Sequence, residues 1–447
     1  MRGFFMTRRE HYILNAKLSY PVMLGQLGHI TVGVADSVMV GQLGAFPLAA
    51  VSLANSLFAV PFVFGMGLAY GITPLVANAD GSGDRNKIAR VLRNGVVLCF
   101  WAGLAMALLT FGTKAIGPHL GQDPNVLELS LPYLMLIGSS ILPLMVFFGL
   151  KQFCEGLSDT KVAMRVSVGA NLLNILLNYL LIFGHFGFPE LGLNGAGWAT
   201  LISRVIMVIV MILYVWKVKR FHQYTSLFKK IPVTLKGIAE IWKLGAPTGL
   251  QYIFEVGAFA TAAIMIGQIG PLPQAAHQIA INLASVSYMM ASAFGVAATI
   301  RVGNQLGRKD YETMRYAART LFVMTIVFML ITGAIFLLGR HALPSLYTDD
   351  MEVILIAGQL LIIATIFQLG DGLQVTALGA LRGLSDVKAP TLITFVAYWV
   401  LALPIGYLLG LTWGMGAIGI WYGLAMGLTI SAGLLLWRFH KKSARYR

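Results

Sequence analysis

A chain of 447 residues that is 57% hydrophobic and only 11% charged cannot cover itself as a soluble globule, since soluble domains average about a quarter charged residues. With a mean hydropathy of +0.76, the solvent for most of it must be a bilayer. The formal net charge of +15 would suggest nucleic acid in a soluble protein, but here its placement along the chain gives it another meaning.

The amino terminus carries Arg2, Arg8 and Arg9 without an apolar core followed by a small-residue cleavage site, so it is expected to lead into the first span rather than to be removed. About 20 apolar residues cross roughly 30 Å of hydrocarbon. That ruler predicts an all-α membrane protein with spans at 16–40, 48–76, 91–112, 128–151, 162–184, 195–217, 240–267, 276–300, 316–338, 353–379, 390–410 and 415–437. The last two are divided around Gly410 and Gly414. Cys99 and Cys154 lie in or beside these spans without metal-ligand spacing and read as small hydrophobes.

The 33 basic residues then fall almost wholly on one side. Only Lys114 and Arg340 occupy the opposite connections, and Arg204 alone is read as lying inside a span. The positive-inside bias places both termini and the basic 218–236 connection in the cytoplasm. The basicity is topological, so no nucleic-acid partner is expected.

The chain also repeats itself. Met39-Val-Gly-Gln-Leu-Gly44 returns as Met265-Ile-Gly-Gln-Ile-Gly270, and the same offset pairs Pro21 with Pro247, Asn78 with Asn304, Gly81 with Gly307 and Asp84 with Asp310. Gly156-Leu-Ser-Asp159 returns as Gly383-Leu-Ser-Asp386. Six spans per copy is an even number, so the copies enter the bilayer in the same sense, as parallel repeats. The expected organisation is an amino-terminal lobe over 1–217, a linker over 218–236 and a carboxyl-terminal lobe over 237–447, the lobes flanking a central cleft.

Three acids are read as lying well inside spans: Asp36, Glu255 and Asp371. A charged side chain at a helix centre costs about 2.5–3.5 kcal/mol on insertion scales, so such residues point to function. Asn174 and Asn178 share a face of the fifth span, with Asn171 a turn earlier, and Thr200 begins the sixth at a similar depth to Asp36. A carboxylate with amide and hydroxyl oxygens suits a proton or a small hard cation. Glu255 and Asp371 match in depth near the bilayer centre, and Gly370 and Gly372 on either side of Asp371 permit a close helix approach or a local break. Gln251, Gln278 and Asn282 are candidate cavity residues, although hydrogen bonding between helices accounts for them equally well. His29 and His277 read as core histidines.

These motifs and the three acids resemble the multidrug and toxic compound extrusion (MATE) family, in its NorM-like bacterial branch, over essentially the whole chain. The resemblance implies export of cationic, often aromatic drugs and dyes in exchange for Na+ or H+, through alternating access of two lobes. It implies a bacterial inner-membrane protein acting as a monomer, with no cofactor beyond the coupling ion and no enzymatic activity. By motif, Glu255 and Asp371 correspond to the family's carboxyl-lobe cation site, and Asp36, Asn174, Asn178 and Thr200 to its amino-lobe site, with Na+ placed at Glu255, Asp371 or Asp36. Some sodium-coupled relatives carry a tyrosine one turn before the acid of the tenth span. Here Phe367 stands at that position and lacks the hydroxyl, which makes it only a candidate cavity residue. A flippase for lipid-linked saccharides on a similar plan is the alternative; it would want a strongly basic cavity. No His-Glu-x-x-His or Gly-x-Ser-x-Gly motif suggests an enzyme.

Overall fold

The computed structural model describes residues 7–115 and 123–446; Arg2 and Arg447, both counted in the charge distribution, lie outside them. Among the described residues, twelve helices are long and apolar enough to cross a membrane. They run Arg8–Gly41, Ala45–Ser82, Arg85–Gly112, Pro124–Gly156, Thr160–Phe183, Leu193–Lys217, Leu235–Gly267, Pro271–Arg308, Tyr311–Leu338, Met351–Gly383, Lys388–Thr412 and Gly416–Ser443. Every expected span is present. Most overrun the bilayer ruler, and two of the overrunning ends are capped: Asp84 Oδ1 accepts from Lys87 N at 2.9 Å and Asp310 Oδ1 from Thr313 N at 3.0 Å. The eleventh span departs from α-geometry. It contains π-helical turns over Val396–Ala402 and Leu408–Thr412.

The repeated motifs prove to be repeated backbone solutions. Gly44 and Gly270, which end the first copy and the second copy of the hexapeptide, both take positive φ, 117° and 151°. That region is open to glycine and strained for other residues. Ser158 and Ser385 in the Gly-Leu-Ser-Asp motifs take φ of 63° and 56°. Each turn is closed by the following aspartate N–H, Asp159 to Cys154 O and Asp386 to Leu381 O, both at 2.9 Å. The aspartates then hold a basic residue: Asp159 Oδ2 lies 3.7 Å from Arg220 Nη1, while Asp386 takes Arg438 through two bonds of 2.8 and 3.1 Å with Lys442 3.2 Å away. Thr73 donates to Gln152 Oε1 at 2.6 Å, and its repeat counterpart Thr299 donates to Gly379 O at 2.9 Å. A Cβ on Gly156 would meet Val76 at 2.7 Å, and one on Gly383 would meet Val302 at 2.8 Å.

Contacts divide the chain into two compact units, Leu24–Gly249 and Leu250–Arg447 with the start of the chain up to Met23. The boundaries therefore fall inside the first and seventh spans, just past Pro21 and Pro247, and not in the 218–236 segment expected as a linker. The physical reasons are local. Asn15 Nδ2 donates to Thr320 Oγ1 at 2.8 Å, and buried His11 Nδ1 lies 3.0 Å from Arg301 Nη2. In the other unit the start of the seventh span presses on the second, where a Cβ on Gly245 would fall 2.2 Å from Leu68 O. The 218–236 segment carries a short helix, His222–Phe228, and is packed within Leu24–Gly249. Phe221 is buried against Phe153, and Arg220 donates to Leu157 O at 2.7 Å.

Candidate functional site

In the unit Leu250–Arg447, Glu255 and Asp371 are both buried, 6% and 5% exposed. They lie within electrostatic reach of each other and of Tyr288 and Tyr398. The tenth span is an unbroken helix at Asp371, so the glycines beside the acid serve close approach and not a break. A Cβ on Gly370 would lie 3.1 Å from Thr429 N of the twelfth span, and one on Gly372 would strike Met329 of the ninth at 2.7 Å.

Glu255 is held by amides. Its Oε1 accepts from Gln251 Nε2 at 3.0 Å and from Gln374 Nε2 at 3.1 Å. Gln251 Oε1 in turn accepts from Arg382 Nη2 at 3.4 Å, and Gln374 Nε2 also reaches Tyr398 Oη at 3.0 Å. The carboxylate of Asp371 has no hydrogen-bond donor among the described side chains. Gln374 and Tyr398 are each 1% exposed and were not among the candidates. A signal for Gln374 exists, a buried amide three residues past a buried acid and so on its face of the helix. Nothing in the sequence distinguishes Tyr398 from the other tyrosines of apolar spans.

In the unit Leu24–Gly249, Asp36 is half-buried and accepts from Asn178 Nδ2. The Asn174 amide satisfies its neighbours when its nitrogen faces Asp36 Oδ1, at 3.0 Å, and its oxygen faces Thr200 N, at 3.3 Å. Ser203 Oγ, not foreseen, lies 3.4 Å from the same side chain. The structure thus brings together Asp36, Asn174, Asn178 and Thr200 as expected. Asn171 instead lies against the first span, its Nδ2 3.1 Å from where a Cβ on Gly28 would sit. Arg204 donates to Ser140 Oγ at 2.5 Å, stacks 5.3 Å from the Phe58 ring and stays within electrostatic reach of Asp36.

Several expectations change. Arg204 is not alone: Arg301 and Arg382 also lie within helices and are buried, 4% and 7% exposed. A fourth acid, Glu155, is buried at the end of the fourth span, 3.8 Å from Lys151 Nζ. Both corrections have one cause, since these helices run past the apolar stretch and carry their polar ends into packed protein. His277 is a core histidine, its Nδ1 accepting from Trp421 Nε1 at 3.1 Å, but His29 is exposed. Phe367 is packed among aromatic rings. It is 1% exposed and packs against Trp421 and Phe259, with centroids at 5.4 and 6.0 Å. Gln278 and Asn282 are exposed and bonded to each other at 3.0 Å, not to another helix.

Comparison with known proteins agrees with this architecture. A family model described as MatE matches the chain twice, over residues 21–180 and 247–408, so the two matches start at the repeat pair Pro21 and Pro247. The Multidrug resistance protein NorM of Photobacterium profundum is 35% identical over 428 residues, 94% of this chain and 93% of its own. That of Aliivibrio fischeri is 36% identical over 429 residues, 94% of this chain and 93% of its own. Among solved structures, an outward-facing multidrug resistance MATE family transporter of the MOP superfamily superposes with a TM-score of 0.90 at 19% identity, covering 98% of this chain and 96% of that one. A eukaryotic MATE transporter gives 0.87 at 22% identity, covering 98% and 99%. A twelve-span, internally duplicated chain with these relatives belongs to the MATE family, among its NorM-like members.

Proposed function

We propose that this multi-pass membrane protein is a cation-coupled multidrug efflux antiporter, exporting cationic and aromatic compounds in exchange for Na+ or H+ by alternating access of its two lobes. The observation that carries the reading is that each compact unit gathers its own carboxylate centre, buried Glu255 with Asp371 in one and half-buried Asp36 in the other. The relatives' names as multidrug resistance proteins supply the cargo class.

The chemistry follows from charge. Two carboxylates buried within electrostatic reach of each other repel, and neither is solvated by water, so a buried acid pair favours carrying a cation. A coupling ion and a cationic drug both meet that need, and each disfavours the other. Loading the ion from outside therefore promotes drug release there, and losing it inside readies the site for the next drug. Asp36, held by Asn178 and Asn174, binds a second cation in its own unit. The basic connections put both termini in the cytoplasm of a bacterial inner membrane.

The test is dye efflux from everted vesicles with Glu255→Gln, Asp371→Asn and Asp36→Asn at matched expression. Efflux should be lost in the first two and strongly impaired in the third. Wild-type efflux in both E255Q and D371N would sink the assignment. Separate Na+ and pH gradients across proteoliposomes identify the coupling ion.

A further inference from the structure

The eleventh span is built irregularly where it meets Glu255. Its π-helical turn Val396–Ala402 brackets that acid on the seventh span. Trp399 Nε1 donates to Phe254 O at 3.0 Å, a Cβ on Gly257 would lie 3.1 Å from Trp399 Cζ2, and Phe395 stacks on Phe254 at 4.9 Å. The same turn delivers Tyr398 Oη to Gln374. π-turns are rare and concentrate at functional sites, because the widened turn re-aims side chains that regular α-geometry would direct elsewhere.

Gln374 stands at the centre of this arrangement. Its single amide nitrogen bonds both Glu255 Oε1 and Tyr398 Oη, while its Oε1 is buried with no hydrogen-bond partner. A buried, unpartnered amide oxygen costs about 1–3 kcal/mol, and here it belongs to the side chain that bonds Glu255, on the same helix as Asp371, whose carboxylate has no donor among the described side chains. Nitrogen toward the carboxylate is the orientation that suits an anionic, ion-free Glu255. Turning the amide presents an oxygen instead.

We propose that Gln374 and Tyr398 are ligands of a Na+ site with Glu255 and Asp371. Three helices then supply two carboxylates, an amide oxygen and a phenol oxygen, an all-oxygen set that suits a hard monovalent ion. Ion binding is accompanied by rotation of the Gln374 amide, after which its nitrogen no longer caps Glu255. The hydroxyl that Phe367 cannot offer comes from a different helix. This inference rests on the reading of Glu255 and Asp371 as a cation site, and what it adds is two ligands.

The test is NaCl titration of the purified protein in nanodiscs, at constant ionic strength and fixed pH, followed by intrinsic tryptophan fluorescence. Trp421 and Trp399 both adjoin the site through Phe367 and Phe254. Wild type should show saturable Na+ binding. Gln374→Ala and Tyr398→Phe should each weaken it about tenfold, and Glu255→Gln or Asp371→Asn should abolish it. Gln374→Glu, which keeps the oxygen and adds charge, should tighten it, a direction that misfolding cannot mimic. If Q374A, Q374E and Y398F all bind Na+ as wild type does while E255Q and D371N do not, the two added ligands are wrong and the acid pair stands. Absence of saturable Na+ binding in the wild type overturns the Na+ assignment and leaves a proton site. Wild-type Na+ affinity in E255Q and D371N overturns both readings.

Discussion

Asn178 shows how much one side chain decides in the Leu24–Gly249 unit. It donates to Asp36 while its own Oδ1 is buried without a hydrogen-bond partner. Asn178→Ala removes the donor that holds the carboxylate, a charged hydrogen bond of about 1.5–3 kcal/mol. The expected outcome is an apparent affinity for the coupling ion altered by roughly ten- to a hundredfold, read from the ion dependence of dye efflux. Asn171→Ala, which touches Gly28 and not Asp36, should leave that dependence unchanged. The three acids of these centres were legible in the sequence because a charge in an apolar run must be explained. Asn174 and Asn178 were legible through helical spacing. Gln374 and Tyr398 were not, because their importance comes from contact between the seventh, tenth and eleventh spans, which no local pattern encodes. Arg382 and Glu155 were overlooked for a related reason: residues at the end of an apolar run look like loop residues until a neighbouring helix covers them.

At the scale of elements, the helices were readable and their crossings were not. The eighth and tenth spans meet so closely that a Cβ on Gly379 would fall 2.0 Å from Gly295 O. The obstacle is backbone, which cannot swing aside as a side chain can, so Gly379→Ala should be worse than a surface change by several kcal/mol. Loss of monodisperse protein or a sharply lowered Tm in detergent would register it. Gly433→Ala, with no atom within 4 Å, is the matched control and should be neutral. The Gly-Leu-Ser-Asp turns make a milder prediction. Asp386→Asn loosens a bidentate pair between this buried carboxylate and the partly exposed Arg438, and should cost about 1–3 kcal/mol. Its stability should depend less on salt than that of the wild type, because screening weakens the ion pair that it lacks. The repeat explains why these turns come in pairs: duplication preserved the positions at which the backbone has few alternatives. The polar interiors were free to diverge. Thr73 and Thr299 keep the same role, yet one bonds the side chain of Gln152 and the other the backbone of Gly379.

For the whole molecule, duplication and span count followed from the sequence, and the division into compact units did not. Composition marked 218–236 as the seam because it is polar and basic, but its buried Phe221 and Tyr224 tie it to the amino-terminal spans. The true boundaries lie within apolar helices, where composition gives no sign. A chain cut within 218–236 should therefore yield two fragments that are each incomplete. Either fragment expressed alone should be degraded, and co-expression should restore both, as measured by membrane abundance and dye efflux. Stable accumulation of the first fragment alone would contradict this.

The same boundary has a consequence for synthesis. Asn15 finds its partner Thr320 only after 305 further positions of chain have been made. During insertion the head of the first span must therefore wait, with the polar groups of His11 and Asn15 unsatisfied, until the eighth and ninth spans arrive. The head of the first span is thus among the last segments to be placed, so interruptions late in translation should strand it although it is made long before the eighth and ninth spans.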